Sequence, residues 1–161
     1  MTTEIRLADY LNTKDADALS MLLNAYATDP MGGGEPLSLE VQKSLASKLA
    51  EIEGAFSVLA WVDDKPAGLI NCFMAFSTFK CKPIVNIHDV AVMSEFRGLG
   101  VSRLMMAKVE EIARERGCCK LTLEVLEGNT LAQAAYRNYG FSGYELDEAN
   151  GKALFWEMPL S

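Results

Sequence analysis

The sequence is short of the side chains that usually hold a metal or a disulfide framework. It has one histidine, and its four cysteines (Cys72, Cys81, Cys118, Cys119) contain no CxxC pair. No zinc site is expected from such a set, and no metal is assigned. Long apolar runs are also missing: nothing approaches the ~20 residues a helix needs to cross a bilayer. The opening residues, MTTEIRLADY, lack the basic segment and apolar stretch of a signal peptide. Together these absences predict a reducing, cytoplasmic setting. Positive charge is scarce as well. Fifteen Lys and Arg against 22 Asp and Glu leave a net charge of -7, which argues against nucleic acid or an anionic membrane as the main partner. The same balance is compatible with a cationic substrate such as an amine. No internal repeat, low-complexity tract or linker interrupts the 161 residues, so residues 1–161 are expected to form one domain with its own core.

What is present reads as alternating strands and helices. Residues 4 to 8 alternate like an edge strand. Asp15 to Ala27 places Leu19, Leu22, Leu23 and Tyr26 at helical spacing, and Leu39 to Glu53 does the same with Val41, Leu45, Leu49 and Ile52. Between them, Met31-Gly-Gly-Gly-Glu-Pro36 reads as a flexible loop. Phe56–Val62, Gly68–Phe79 and Ile84–Val92 follow as strands, with a turn at Asp63–Pro66. A helix then presents Val101, Leu104, Met105, Val109 and Ile112 to the core and stops at Gly117. Lys120–Leu126 reads as a strand, Thr130–Asn138 as a short helix, and Tyr144–Glu148 with Ala153–Met158 as a closing hairpin over Asn150-Gly151. Meander and crossover together predict a mixed α+β sheet sandwiched by helices, with the strands either side of the 101–116 helix parallel.

The stretch Glu95-Phe-Arg-Gly-Leu-Gly-Val-Ser-Arg-Leu104 joins a strand end to a helix start. Unpaired N–H groups and the helix dipole make such a junction an anion site. Gly98 and Gly100 would let a phosphate approach the backbone, and Arg97 would add a charged contact. A tight strand-to-helix turn explains the same glycines equally well, so on these residues alone both stay open. The stretch lacks the GK[ST] ending of a P-loop. Arg103 stands where the dinucleotide fingerprint has its third glycine.

Arg97-Gly-Leu-Gly-Val-Ser102 resembles the R/Q-x-x-G-x-G/A signature of the GNAT superfamily of acyl-CoA-dependent N-acetyltransferases, with Ser102 where Gly or Ala is usual. Asn129-Thr-Leu-Ala132 followed by Tyr136-Arg-Asn-Tyr-Gly-Phe141 resembles the family's N-x-x-A-x-x-x-Y-x-x-x-G-F segment. The resemblance covers nearly the whole chain, with its motifs between Ile87 and Phe141. It implies the GNAT fold: a central, mostly antiparallel twisted sheet with one parallel, splayed strand pair, flanked by about four helices.

It also implies the site. The backbone of Val90, Ala91 and Val92 would pair with the pantetheine arm of acetyl-CoA. The segment Arg97, Gly98, Leu99, Gly100, Val101, Ser102, with Arg103, would hold the pyrophosphate, and Asn129 would bond the pantetheine region. Tyr136 matches the family's general acid, whereas Tyr139 falls at a packing position. For the general base, Glu124 leaves the apolar face of its strand and stands five residues before Asn129, as in ribosomal-protein N-terminal acetyltransferases. His88, an imidazole of the type that titrates near neutrality, and Asp89 are its rivals, and a water chain is the remaining alternative. The implied reaction moves an acetyl group from acetyl-CoA to a primary amine by direct attack in a ternary complex. A small polyamine-like or amino-acid-like amine is the first expectation for the acceptor. Asp29 and Glu35 in the glycine loop are able to attract it, or simply to face water. A protein N-terminus or lysine is the second expectation, and a non-catalytic acyl-CoA-binding module the third. Members of the family are often dimers, which keeps a homodimer open.

Overall fold

The protein, described by a computed structural model over residues 1–144 and 147–161, divides into two compact units, Met1–Glu124 and Val125–Ser161. In the first unit the order is β1 (Thr3–Leu7), α1 (Thr13–Thr28), α2 (Leu39–Ala50), β2 (Phe56–Val62), β3 (Lys65–Ser77), β4 (Lys82–Val92), α3 (Val101–Glu115) and β5 (Leu121–Leu123). The five strands form one sheet in chain order. β1 to β4 are antiparallel neighbours, and β4 and β5 run parallel. This is the predicted mixed α+β sheet. Asp63 and Asp64 both take positive φ (48° and 63°) in the β2–β3 turn, the handedness that matches the twist of a two-residue hairpin.

Alternation along the strands decides what each sheet face meets. Leu59, Leu69 and Ala91 share a register row, and with Trp61 they pack against Ala18, Leu19, Leu22 and Leu49 of α1 and α2. Gly68, one residue from Leu69, faces the other way toward α3. A Cβ there would stand 2.7 Å from Met105 Cε and 3.1 Å from the Ala91 carbonyl oxygen. Gly68 therefore lets α3 lie directly on the end of the sheet. With helices on both faces, β2 is buried along its whole length.

Several sequence expectations shift. The buried face of α3 is Val101, Met105, Met106, Val109, Ile112 and Ala113, whereas Leu104 is 48% exposed. In α2 the buried residues are Ala46 and Leu49. Val41 lies in the exposed first turn, and Ile52 falls beyond the helix, which ends at Ala50. The glycine-rich segment after α1 is not a loose loop. Pro30–Gly32 form a 3-10 turn in which Asp29 Oδ1 accepts from Met31 N–H (2.9 Å) and the Asp29 carbonyl accepts from Gly32 and Gly34 (2.8 and 3.0 Å). Gly32 is required there, because a Cβ would fall 2.0 Å from the Tyr26 carbonyl oxygen.

In the second unit α4 covers Thr130–Tyr139 and a 3-10 turn covers Glu148–Asn150. Of the predicted closing hairpin, Ala153–Met158 carries no strand, and one backbone hydrogen bond joins the two arms among the described residues, Ala153 N–H donating to the Tyr144 carbonyl at 3.2 Å. The Asp147 side chain accepts from Ala149 N–H and winds the chain into the 3-10 turn where a two-residue hairpin loop was predicted. Part of that hairpin's first arm, Glu145 and Leu146, lies outside the described residues. No helix among the described residues is long and apolar enough to cross a membrane.

One ion pair ties α1 to the sheet. Asp15, 1% exposed, accepts both Arg6 guanidinium nitrogens at 2.6 Å and the Asp9 amide at 2.8 Å. Burial alone would push the Asp15 carboxyl up. The Arg6 and Asp9 hydrogen bonds outweigh it and hold the carboxyl below the usual range. A folded-state value below the unfolded one contributes stability above about pH 4 that is lost as pH falls through the folded value. Asp15→Ala is therefore expected to cost about 2–4 kcal/mol in chemical denaturation at pH 7, less than a fully buried pair because Arg6 keeps access to water. The gap between wild type and variant should narrow as the titration is carried into acid; an unchanged gap at the lowest pH that permits folding would refute this.

Candidate functional site

The chemistry-bearing residues of the first unit gather at the C-terminal end of β4. β4 pairs with β3 from Lys82 to Val92, but with β5 only at Val85, Asn86 and Ile87. From Asp89 to Val92 the strand is therefore paired on one side only among the described residues, because β5 stops at Leu123, opposite Ile87. Apart from the Val92 carbonyl, which accepts from Arg97 Nε, its outward N–H and C=O groups face no strand among the described residues and can pair with an extended ligand in the manner of an added strand.

A bulge sets the side chains at this point. Asn71 pairs with Asp89, and the next residue, Cys72, pairs with Ile87, so His88 is the extra residue. The His88 ring meets Phe73 edge-on at 5.4 Å between centroids, and Asn71 Nδ2 donates to Asp89 Oδ2 at 3.1 Å. Asn71 and Phe73 are two apart and share a face. His88 and Asp89, adjacent in the chain, thus both reach the face covered by α1 and α2. Tyr26 of α1 senses the same place: burial raises its hydroxyl first, and the charges of Asp89 and Asp29 push it further.

Beyond Val92 the chain passes through a short 3-10 turn, Ser94–Phe96, and the two glycines into α3. Gly98 and Gly100 hold φ of +80° and +76°, and a Cβ on either would meet nothing within 4 Å. The backbone needs glycine for its handedness, and the space beside it is open. Gly100 caps α3 without a side-chain hydrogen bond, and no acidic residue occupies the first turn of this 15-residue helix. The first N–H groups, from Val101 through Arg103, therefore have no intrahelical partner and point out of the positive end of the dipole. Arg97 Nε donates to the Val92 carbonyl at 3.2 Å, and its guanidinium lies 3.9 Å from Asp29 Oδ2. This carries a positive charge beside the turn and links it to the α1–α2 connection. Such a constellation can hold a chain lying along β4 whose anionic end rests on α3.

The remaining predicted residues sit elsewhere. Glu124 is exposed immediately after β5. In the second unit, Asn129 caps α4, its Oδ1 accepting from Ala132 N–H at 3.2 Å, which commits the side-chain oxygen to the cap. Tyr136 follows seven residues later on the same helical face and packs edge-on against Phe141 at 6.0 Å. Asp29 is engaged as a cap and with Arg97, and does not stand as an isolated anion. Sequence reasoning passed over Ser57, Asn71 and Tyr26. Two polar residues inside the otherwise apolar runs Phe56–Val62 and Gly68–Phe76 were the available signal.

Comparison with known proteins gives the site a context. The model of the acetyltransferase (GNAT) family matches residues 19–141, which run through both units. The chain is 35% identical over 83 residues to the thialysine N-epsilon-acetyltransferase of Bos taurus, covering 52% of this chain and 47% of that protein. It is 39% identical over 95 residues to the streptothricin acetyltransferase of Streptomyces lavendulae, covering 54% and 50%. The chain thus spans about half the length of these named relatives. Among solved structures, an aminoglycoside acetyltransferase from an uncultured soil metagenomic sample, in complex with sisomicin, superposes with a TM-score of 0.80 at 15% identity, over 99% of this chain and 97% of that one. At that identity the likeness is one of fold.

The two glycines of the turn provide a direct check. Ala at Gly98 or Gly100 should cost about 1–2 kcal/mol each, since L side chains are strained at these angles. In a chain of this size that corresponds to a melting temperature lower by about 2–8 °C. Asn, which tolerates the left-handed region, should cost clearly less at the same positions. Equal losses for Ala and Asn in thermal scans would show that backbone handedness is not the reason for the glycines.

Proposed function

Because the chain belongs to the acetyltransferase (GNAT) family, we propose that it transfers the acetyl group of acetyl-CoA to a primary amine of a small molecule. The observation that carries the reading is the half-paired end of β4 running into the uncapped N-terminus of α3. The backbone of Val90, Ala91 and Val92 binds the pantetheine arm. The amides from Gly98 to Arg103, with the Arg97 guanidinium, take the pyrophosphate, and the open space beside Gly98 and Gly100 is what lets phosphate oxygens approach. Asn129 offers its amide NH2 to the pantetheine region. The named relatives act on amines of small molecules, which supports that acceptor class over a protein N-terminus or lysine.

The thioester supplies an activated acyl carbon. The acceptor must arrive as a neutral amine, so its ammonium proton has to leave first. His88, exposed at the bulge beside Asp89, is placed to accept it. Attack forms the C–N bond and the C–S bond breaks. The departing thiolate takes a proton from the Tyr136 hydroxyl, which recovers one from the amine nitrogen through solvent. Glu124, exposed beyond the end of β5, is the alternative proton acceptor.

A coenzyme A thiol-release assay over thialysine, streptothricin, sisomicin, spermidine and a peptide with a free N-terminus tests the reading. Turnover is expected with at least one small amine and not with the peptide. Tight acetyl-CoA binding without turnover on any of them would favour a non-catalytic module. Tyr136→Phe should lower kcat by about 10²-fold with both KM values nearly unchanged. His88→Gln should flatten the acidic limb of the pH–rate profile while Glu124→Gln leaves it in place; the opposite pattern would move the base to Glu124.

A further inference from the structure

A row of polar side chains crosses the sheet on the face otherwise filled by apolar packing. Ser57, Asn71 and Asp89 stand opposite one another in the registers of β2, β3 and β4. Ser57 is fully buried and Asn71 is 3% exposed. The Tyr10 hydroxyl lies 2.8 Å from Ser57 Oγ, Ser57 Oγ donates to Asn71 Oδ1 at 2.6 Å, and Asn71 Nδ2 donates to Asp89 Oδ2 at 3.1 Å. The carboxylate sets the sense of the whole row. It only accepts, so Asn71 must turn its NH2 toward it and its oxygen toward Ser57. Ser57 then spends its one hydrogen on Asn71, and its oxygen accepts from Tyr10. Burial raises the Tyr10 hydroxyl above its usual range, which keeps that donor protonated.

Two buried polar residues in the middle of a sheet need a reason, because apolar residues of similar size would pack there without requiring partners. The row leads to one place, the bulge beside the half-paired end of β4. It binds Asp89 through Oδ2, and among the described residues no hydrogen bond falls on Oδ1. Around Asp89, His88 is the neighbouring residue at the bulge, and Tyr26 of α1 lies close enough for the charges of Asp89 and Asp29 to raise its hydroxyl further after burial has done so.

We propose that Asn71 is a positioning residue for the acceptor: braced by Ser57 and Tyr10, it fixes Asp89 so that Oδ1 receives the ammonium group of the incoming amine. The inference rests on the acetyltransferase reading above and adds to it how the amine is oriented. A hydrogen-bonded carboxylate in one rotamer binds a cation without the entropy cost of being ordered at each encounter. The neutral amide achieves this without introducing a second charge that would compete for the substrate.

The test uses the full chain, acetyl-CoA and whichever of thialysine, spermidine or sisomicin the wild type turns over best. Asn71→Ala should raise KM for the amine about tenfold, corresponding to loss of about 1.4 kcal/mol, with KM for acetyl-CoA unchanged within about twofold. Asp89→Asn should raise the same KM at least as much. The double variant should be no worse than Asp89→Asn alone, because the two residues act through one contact. Ser57→Ala, which removes the brace and leaves the Asn71–Asp89 bond, should give a smaller rise of about threefold in the same parameter. It replaces Asn71→Ala in the cycle if that variant does not fold. Effects that multiply in the double variant, or that fall equally on both KM values and on kcat, overturn the positioning role. Absence of wild-type turnover with every amine overturns the acetyltransferase reading and this inference together, whereas turnover with multiplying effects overturns the inference alone.

Discussion

The organising constraint in this protein is the unequal pairing of one strand. β4 pairs with β3 at ten of its eleven residues and with β5 at only three. Backbone amides and carbonyls removed from water must find partners, so a strand end paired on one side must either stay wet or receive something extended. The neighbouring features make sense in relation to that end. Gly68 lets α3 settle on the sheet beside it, the 98–100 turn aims the α3 N-terminus there, and the bulge turns two adjacent side chains onto one face. None of these features alone would specify a ligand. Together they are the features on which the proposed binding of a flexible chain with an anionic end rests.

The two sheet faces solve different problems. The side under α3 is apolar, with Met105, Met106 and Val109 buried against it. The side under α1 and α2 admits polar groups, and two hydrogen-bonded sets stand there, although the buried Trp61 Nε1 has no hydrogen-bond partner among the described residues. Arg6, Asp15 and the Asp9 amide form one set, and Tyr10, Ser57, Asn71 and Asp89 the other. Buried polar groups of this kind fix a single geometry because any displacement leaves a donor or acceptor unpaired. The first set anchors α1 to β1. The second connects the middle of the sheet to the bulge, where geometry matters for a substrate.

Much of this was legible in the sequence, for identifiable reasons. The 3.6-residue and 2-residue periods located, among the described residues, α1 to α4 and the five strands of the sheet, but not the 3-10 turns. The glycines marked the turn because only glycine holds φ near +80° there without strain. Misassignments fell where local pattern and tertiary contact part company. Leu104 is periodic with Val101, yet the helix lies on the sheet through Met105 and Met106. The Met31–Pro36 segment has the composition of a loose loop, yet Asp29 gathers its amides. Asn150-Gly151 has the chemistry of a hairpin turn, yet the Asp147 side chain captures the Ala149 amide first.

By itself the sequence determined the order of elements from β1 to α4, the alternation of the strands and the family motifs, because these depend on neighbours within a few residues or on spacing along the chain. Only the tertiary structure decided that β5 stops opposite Ile87, that His88 is a bulge residue sharing a face with Asp89, and that Ser57 and Asn71 stand in one row with that carboxylate. Register across a sheet is a property of paired strands, set here by residues such as Ser57 with Asn71, Asn71 with Asp89 and Ile87 with Leu123, which are far apart in the chain and share no local signal. The polar side chains in those strands therefore acquired a direction, and a candidate role, only when the strands were aligned.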